Sequence, residues 1–198
     1  MTLMQDPSPF ADANFELGHT RFMSLESLAE FLLVHAANLN PADPQERDTA
    51  ARFLKALKEL TTPEKFDFTT FEAATDNMVV VKDLPFATLC RHHVLPFVGV
   101  AHMGYVPDGR IVGLSKIPRL INYFAAGLNT QEELTETIAD SFMEQLDPKG
   151  VILVMEAQHT CMSIRGVRAT GTTRTTSVRG VFADHTRTAK AEFMEAIR

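Results

Sequence analysis

Cys90-Arg91-His92-His93 packs a thiol and two imidazoles into four residues directly after an apolar, β-branched run, and His159-Thr160-Cys161 sets an imidazole two positions from the only other cysteine. Thiolates and imidazoles are the ligands that hold zinc in proteins. Residues two apart on a strand face the same way, so His159 and Cys161 are expected on one side of a strand. Cys90 and His93, three apart, can both turn inward from a tight turn. Cys90, His93 and Cys161 would then supply two sulfurs and one nitrogen to a single Zn2+. Three protein ligands leave a fourth position for water, which is the ligand count of a catalytic rather than a structural site. The competing interpretation is packing: free cysteine is among the most buried residue types, and a histidine pair after a strand can simply be bonded in a core. A lone C-x2-H is weak for that reason. The second cluster shifts the balance, because packing gives no reason for both cysteines of the chain to lie beside histidines.

The elements that must position these residues follow from periodicity. Ser24 reads as an N-cap before Leu25, Leu28, Ala29, Leu32 and Ala36 at helical spacing, with Asn40-Pro41 ending the pattern. Asp43-Pro44-Gln45-Glu46 is a capping-box arrangement, predicting a second helix through Phe53, Leu54, Leu57 and Leu60 with Arg52 and Lys55 on its polar side. From Phe66 the texture becomes Phe, Thr and Val, and strands are expected over Asp67 to Phe71, from Met78 into Cys90, and over Val94 to Tyr105. Pro107-Asp108-Gly109 is a turn leading to Ile111-Val112-Gly113. Ser115 is expected to N-cap a helix whose first turn holds Lys116 and Arg119, a plausible phosphate-binding arrangement. Thr130 and Glu133 form a capping box for a helix carrying Leu134, Ile138, Phe142 and Leu146 and stopping at Pro148 and Gly150. Val151 to Met155 reads as a strand covered on both faces. Beyond it, His159, Cys161, Ser163 and Arg165 are expected on one face. A Thr-rich strand from Thr172 to Phe182 and a closing helix from Thr186 to Ile197 complete the chain, and Met1 to Arg21 reads as an arm.

At 198 residues, with 45% hydrophobic and 22% charged, the chain has the balance of a globular protein with one substantial core. The net charge of −6 argues against a general nucleic-acid binder, so an anionic ligand needs a local basic cluster. No apolar run reaches the length of a membrane span, and the first twenty residues lack a basic start and apolar core, which predicts a cytoplasmic location and reduced thiols.

Four motifs together, Cys90-Arg91-His92-His93, Gly113-Leu114-Ser115-Lys116, Gln131-Glu132 and His159-Thr160-Cys161, resemble the GTP cyclohydrolase I family in order and spacing, over a stretch from about Asp48 to the C-terminus. The resemblance implies an α+β tunnelling fold, an antiparallel β2α2β2 sheet with helices on one face. Residues 1–62 would form an N-terminal arm and helices, and residues 63–198 the catalytic domain. It further implies a toroidal homo-oligomer, a decamer, with sites at subunit interfaces, and conversion of GTP and water to formate and 7,8-dihydroneopterin triphosphate. Carried over residue by residue, Cys90, His93 and Cys161 look like the zinc ligands, and His92 and His159 like the proton-transfer residues. Gln131 and Glu132 resemble the guanine-recognising pair, and Ser115, Lys116, Arg119 and Arg165 the triphosphate and ribose contacts, with Arg52 and Lys55 adding basic residues from the N-terminal helix. The chain departs from the family in having Arg91 where Glu is usual, and in Pro118; its N-terminal helical portion also looks shorter. A different enzyme on the same fold and a non-catalytic purine- or pterin-binding ring are the alternatives. Retention of both His92 and His159 speaks against the ring, since a scaffold needs neither.

Overall fold

The computed structural model describes residues 23–184 and 188–198. The arm expected over Met1 to Arg21, and the Thr186 start of the closing helix, lie outside the described residues. The chain divides into two compact units, Met1–Thr62 and Pro63–Arg198.

In the first unit α1 spans Leu25–Ala37, and Ser24 caps it as expected: its Oγ accepts from Ser27 N at 3.1 Å. The helix closes at Asn38, whose left-handed φ of 57° lets Leu39 N reach back to Leu33 O at 3.2 Å. The second helix, α2 (Thr49–Thr61), starts later than the Asp43 capping box predicts. Asp43 Oδ1 instead accepts from Gln45 N at 2.8 Å, and Glu46 reaches back to Asn40 N at 2.7 Å, so these side chains stabilise turns rather than a helix start.

In the second unit a two-stranded ribbon pairs β1 (Thr70–Glu72) with β4 (Arg110–Val112). The main sheet holds β2 (Val79–Cys90), β3 (Pro96–Val106), β5 (Leu128–Asn129), β6 (Gly150–His159) and β7 (Thr173–Gly180) in the order β5-β2-β3-β6-β7. Every pairing in it is antiparallel except the short parallel contact of β5 with β2. Between the hairpin β2-β3 and the pair β6-β7 run α3 (Lys116–Ala125) and α4 (Gln131–Leu146). That connectivity, β2α2β2, is the tunnelling unit.

Alternation along the strands decides the layers. Phe97, Ala101, Met103 and Tyr105 of β3 and Val151, Leu153, Met155 and Ala157 of β6 turn to one face, where they bury Ile117, Leu120 and Ile121 of α3 and Leu134, Ile138 and Phe142 of α4. Each fully buried apolar side chain contributes on the order of 1.5–3 kcal/mol. Phe142 packs edge-on against Phe68 and at a tilt against Tyr105, so truncating it to alanine would cost about 3–5 kcal/mol. The opposite face packs Ile152 and Val154 under Phe182 and under Phe193 of the closing helix α6 (Ala189–Ala196). Gly104 makes that close approach feasible, since a Cβ there would stand 2.5 Å from Phe193 Cδ2. Buried His102 accepts from Asp83 N at 3.1 Å, beside the irregularity between Val81 and Leu84, and so has a structural role. No helix of the described residues is long and apolar enough to cross a membrane.

Candidate metal centre and active site

The site begins where β2 ends. Cys90 N donates to Leu95 O at 2.8 Å, while His93 N and Val94 N both return to Cys90 O at 3.2 and 2.8 Å. Val94 takes a left-handed φ of 54° to complete this turn, which throws the imidazoles of His92 and His93 back over the Cys90 sulfur. Cys90 Sγ lies 3.6 Å from His93 Nδ1 and 3.8 Å from His92 Nδ1.

The third member arrives from β6, though not as a strand residue. His159 is the last residue of β6, and Thr160–Ser163 form one helical turn, α5. The expected alternation of His159, Cys161, Ser163 and Arg165 on one strand face therefore does not hold. Thr160 Oγ1 donates to Pro96 O at 2.5 Å and Ile164 N to Thr160 O at 3.1 Å, bonds that coil the chain just past the end of β6. The coil brings Cys161 to the Cys90 turn: ligand atoms of Cys90, His93 and Cys161 all lie within 4.8 Å of one another. A tetrahedral zinc with Zn–S near 2.3 Å and Zn–N near 2.0–2.1 Å needs ligand atoms roughly 3.5–3.8 Å apart, so the trio needs only a small contraction to fit. Burial pushes the Cys161 thiol up, and the neighbouring Cys90 sulfur adds to the effect, first by sharing a hydrogen bond with the protonated thiol and then because two thiolates this close repel. A divalent cation between them reverses that balance.

Beside the metal trio, His159 is held on two sides. Phe97, its antiparallel partner in β3, stacks on the imidazole at 4.4 Å with 11° between the planes. Its Nε2 lies 2.8 Å from Gln131 Oε1. Gln131 is the first residue of α4 and is 1% exposed, with its amide nitrogen donating to Met155 O and Thr173 O at 3.0 Å and to Thr175 Oγ1 at 3.2 Å. Carbonyl oxygens cannot donate, so the amide is oriented with nitrogen toward them and oxygen toward the imidazole. His159 Nε2 must then carry a hydrogen, which leaves Nδ1 as the ring nitrogen that Gln131 does not engage. Desolvation lowers the pKa of His159, partly countered by the charge of Glu132 on the exposed first turn of α4.

The capping box expected at Thr130 is present, with Thr130 Oγ1 accepting from Glu133 N at 3.3 Å. Asn129 fixes the approach to this turn, its Nδ2 donating to Thr88 Oγ1 at 2.9 Å and to the last carbonyls of α3. Ser115 precedes α3 but does not cap it: its φ and ψ of −67° and −14° are already helical, and Lys116 N is taken by Gly113 O at 2.8 Å. Lys116 and Arg119 occupy the first turn of α3, and Arg119 is exposed. Arg165 follows α5, with Nη1 donating to Cys161 O at 3.3 Å. Arg52 and Lys55 lie on α2 in the first unit with local partners. Arg52 bonds Gln45 O and Thr49 Oγ1, and Lys55 pairs with Glu59 at 3.9 Å.

Phe97, Thr175 and Asn129 belong to this neighbourhood without having been singled out in the sequence, and Glu133 was read there only as half of the capping box. Arg91 turns away from the metal trio, its Nη1 2.5 Å from Glu133 Oε2.

Comparison with known proteins identifies the family. The family model described as GTP cyclohydrolase I matches residues 26–198. A GTP cyclohydrolase 1 of Mycolicibacterium vanbaalenii is 44% identical over 173 residues, 83% of this chain and 84% of that protein. One from Streptomyces avermitilis is 42% identical over 189 residues, 91% of this chain and 93% of its own length. One from Campylobacter jejuni is 45% identical over 156 residues, 75% and 82% of the two chains. A solved archaeosine synthase QueF-like chain in its apo form superposes with a TM-score of 0.45 at 11% identity, over 55% of this chain and 97% of that one, a likeness too loose to argue from. Sequence likeness of this extent, over a region that holds the whole Cys-His-Cys cluster, leaves one assignment: the chain belongs to the GTP cyclohydrolase I family.

Proposed function

We propose that the protein is a zinc-dependent GTP cyclohydrolase I, opening the guanine imidazole ring of GTP with water and yielding formate and 7,8-dihydroneopterin triphosphate. The observation that carries the proposal is the closeness of the Cys90, His93 and Cys161 ligand atoms, within 4.8 Å of one another, next to a histidine whose ring is held by Phe97 and Gln131. Zinc bound by that trio supplies a Lewis acid and a water activated near neutral pH. The rest of the chemistry falls to the chain. Glu132 accepts from N1–H and the 2-amino group of guanine. His159, with Nε2–H spent on Gln131, delivers a proton to N7 through Nδ1 as water adds at C8, and the C8–N9 bond opens. A second hydration releases C8 as formate. His92 takes and returns protons through the sugar rearrangement and ring closure, each such transfer worth typically about 10²- to 10⁴-fold. Ser115, Lys116, Arg119 and Arg165 hold the triphosphate and ribose. The triphosphate is remote from C8, and its contacts supply the binding energy that positions the base.

Gln131 has a different part from the one its motif suggests. Both ends of its amide are engaged by protein groups, so its side chain orients His159 rather than touching guanine. The active form is a toroidal homo-oligomer, a decamer in the cytoplasm, whose neighbouring subunits complete each site. Incubating the purified, zinc-loaded protein with GTP tests the proposal. Formate and a pterin that fluoresces after oxidation should appear in equal amounts. GTP left intact, or consumed without formate, overturns it.

A further inference from the structure

Arg91 stands between two metal-ligand positions of the turn, yet every contact of its backbone N–H and guanidinium runs to one segment forty residues downstream. Its backbone N donates to Asn129 O at 2.9 Å, its Nε to Leu128 O at 3.4 Å, and its Nη1 meets Glu133 Oε2 at 2.5 Å. Leu89 and Cys90 already pair in parallel with Leu128 and Asn129, so Arg91 extends that short ladder by one backbone bond and closes it with an ion pair. The segment it grips leads directly into Gln131, which holds His159, and Glu132.

The geometry points to the Arg91–Glu133 pair as a latch that fixes the metal-binding turn against the first turn of α4. In that role Arg91 and Glu133 are positioning residues that set the spacing between the metal trio and the guanine-reading end of the helix. This inference rests on the proposed GTP cyclohydrolase activity for its catalytic consequence, but not for the latch itself. Charge supports the pairing. A cation beside a helix N-terminus opposes the dipole, whereas Glu133 in the first turn suits it and is braced by Thr130 Oγ1 at 3.1 Å. Arg91 is therefore tolerated there through Glu133. The pair also occupies Glu133, leaving Glu132 as the carboxylate of that turn presented to a ligand. Arg91→Glu would set a third carboxylate against Glu132 and Glu133 and open the latch. The same change with Glu133→Arg restores opposite charges in reversed order.

The test compares the parent, Arg91→Glu, Glu133→Arg and the double reversal, all zinc-loaded. Hydrogen exchange of the amides over residues 89–95 and 129–134 reads the latch whether or not GTP turns over, and steady-state kinetics with GTP read its consequence. Each single reversal should speed exchange in both segments about 2- to 5-fold, the effect of an exposed ion pair, and raise KM for GTP by a similar factor, with zinc content unchanged. The double reversal should return both readouts most of the way to the parent. Exchange unaltered in the single reversals, or a double reversal no better than Arg91→Glu, overturns the latch. If the parent turns over no GTP, the functional assignment fails while the exchange data still judge the pair.

Discussion

Replacing Gln131 by methionine keeps the length of the side chain and removes both ends of the amide. In the parent that amide donates to Met155 O, Thr173 O and Thr175 Oγ1 and accepts from His159 Nε2–H at 2.8 Å, all at a position 1% exposed. Thr175 retains Thr135 Oγ1 at 2.6 Å as a partner, so the group most clearly stranded is the His159 N–H. A buried donor without an acceptor costs about 1–3 kcal/mol. If that cost falls on the transition state, where the imidazole must hold the correct tautomer and angle, kcat drops about 5- to 150-fold at 1.36 kcal/mol per decade. The stack on Phe97 remains, so the ring is misoriented rather than lost. KM for GTP should change little, because no ligand contact has been removed, and zinc content should stay at the parental value. Steady-state kinetics with GTP, run well below the melting temperature of the variant, separate the two parameters. A rise in KM at constant kcat is the signature of lost uniform binding, and would refute the orienting role in favour of direct guanine contact.

Further expectations concern the metal, the base and the core. Cys161→Ser should lose zinc and activity together, and metal analysis showing full occupancy in that variant would remove Cys161 from the ligand set. Glu132 bound to the guanine edge implies rejection of ATP, which would leave the carboxylate unpaired at a cost of about 1–3 kcal/mol or more for a charge; comparable turnover of ATP and GTP would contradict this. Tyr105, 1% exposed, has a pKa raised above 10.0 by burial, against a smaller opposing effect of Val112 N, which donates to its Oη at 3.3 Å. Above pH 10 the unfolded chain therefore loses this proton before the folded one does, and stability falls as pH climbs through that window. Tyr105→Phe should be less stable than the parent at pH 7 by about 1 kcal/mol for the lost acceptor. Urea unfolding at pH 7 and pH 11 should show that gap narrowing, and a gap that widens would show the sign to be wrong.

Local chemistry made several elements legible in the chain. Ser24 and Thr130 cap the helices they precede because a hydroxyl two or three residues before an orphan N–H satisfies it wherever the helix later packs. The apolar run Val151 to Met155 reads as a strand covered on both faces and is buried throughout in β6, and Cys90 to His93 could bend both ligands inward only from a turn. Where two local solutions compete, the chain alone does not decide. Asp43 and Glu46 satisfy N–H groups equally well in turns, which is why α2 starts at Thr49. Cys161 could have continued β6, but Thr160 finds Pro96 O at the start of the neighbouring strand β3 and the backbone coils. The partners of Gln131 and Arg91 come from elements remote in sequence, and nothing in a one-dimensional pattern marks which of several glutamates an arginine will meet. Composition and spacing determined which ligands this chain could offer a metal; only the tertiary structure decided which side chains hold His159 and the Cys90–His93 turn in place, because hydrogen bonds and ion pairs depend on distances that sheet register sets and sequence separation does not.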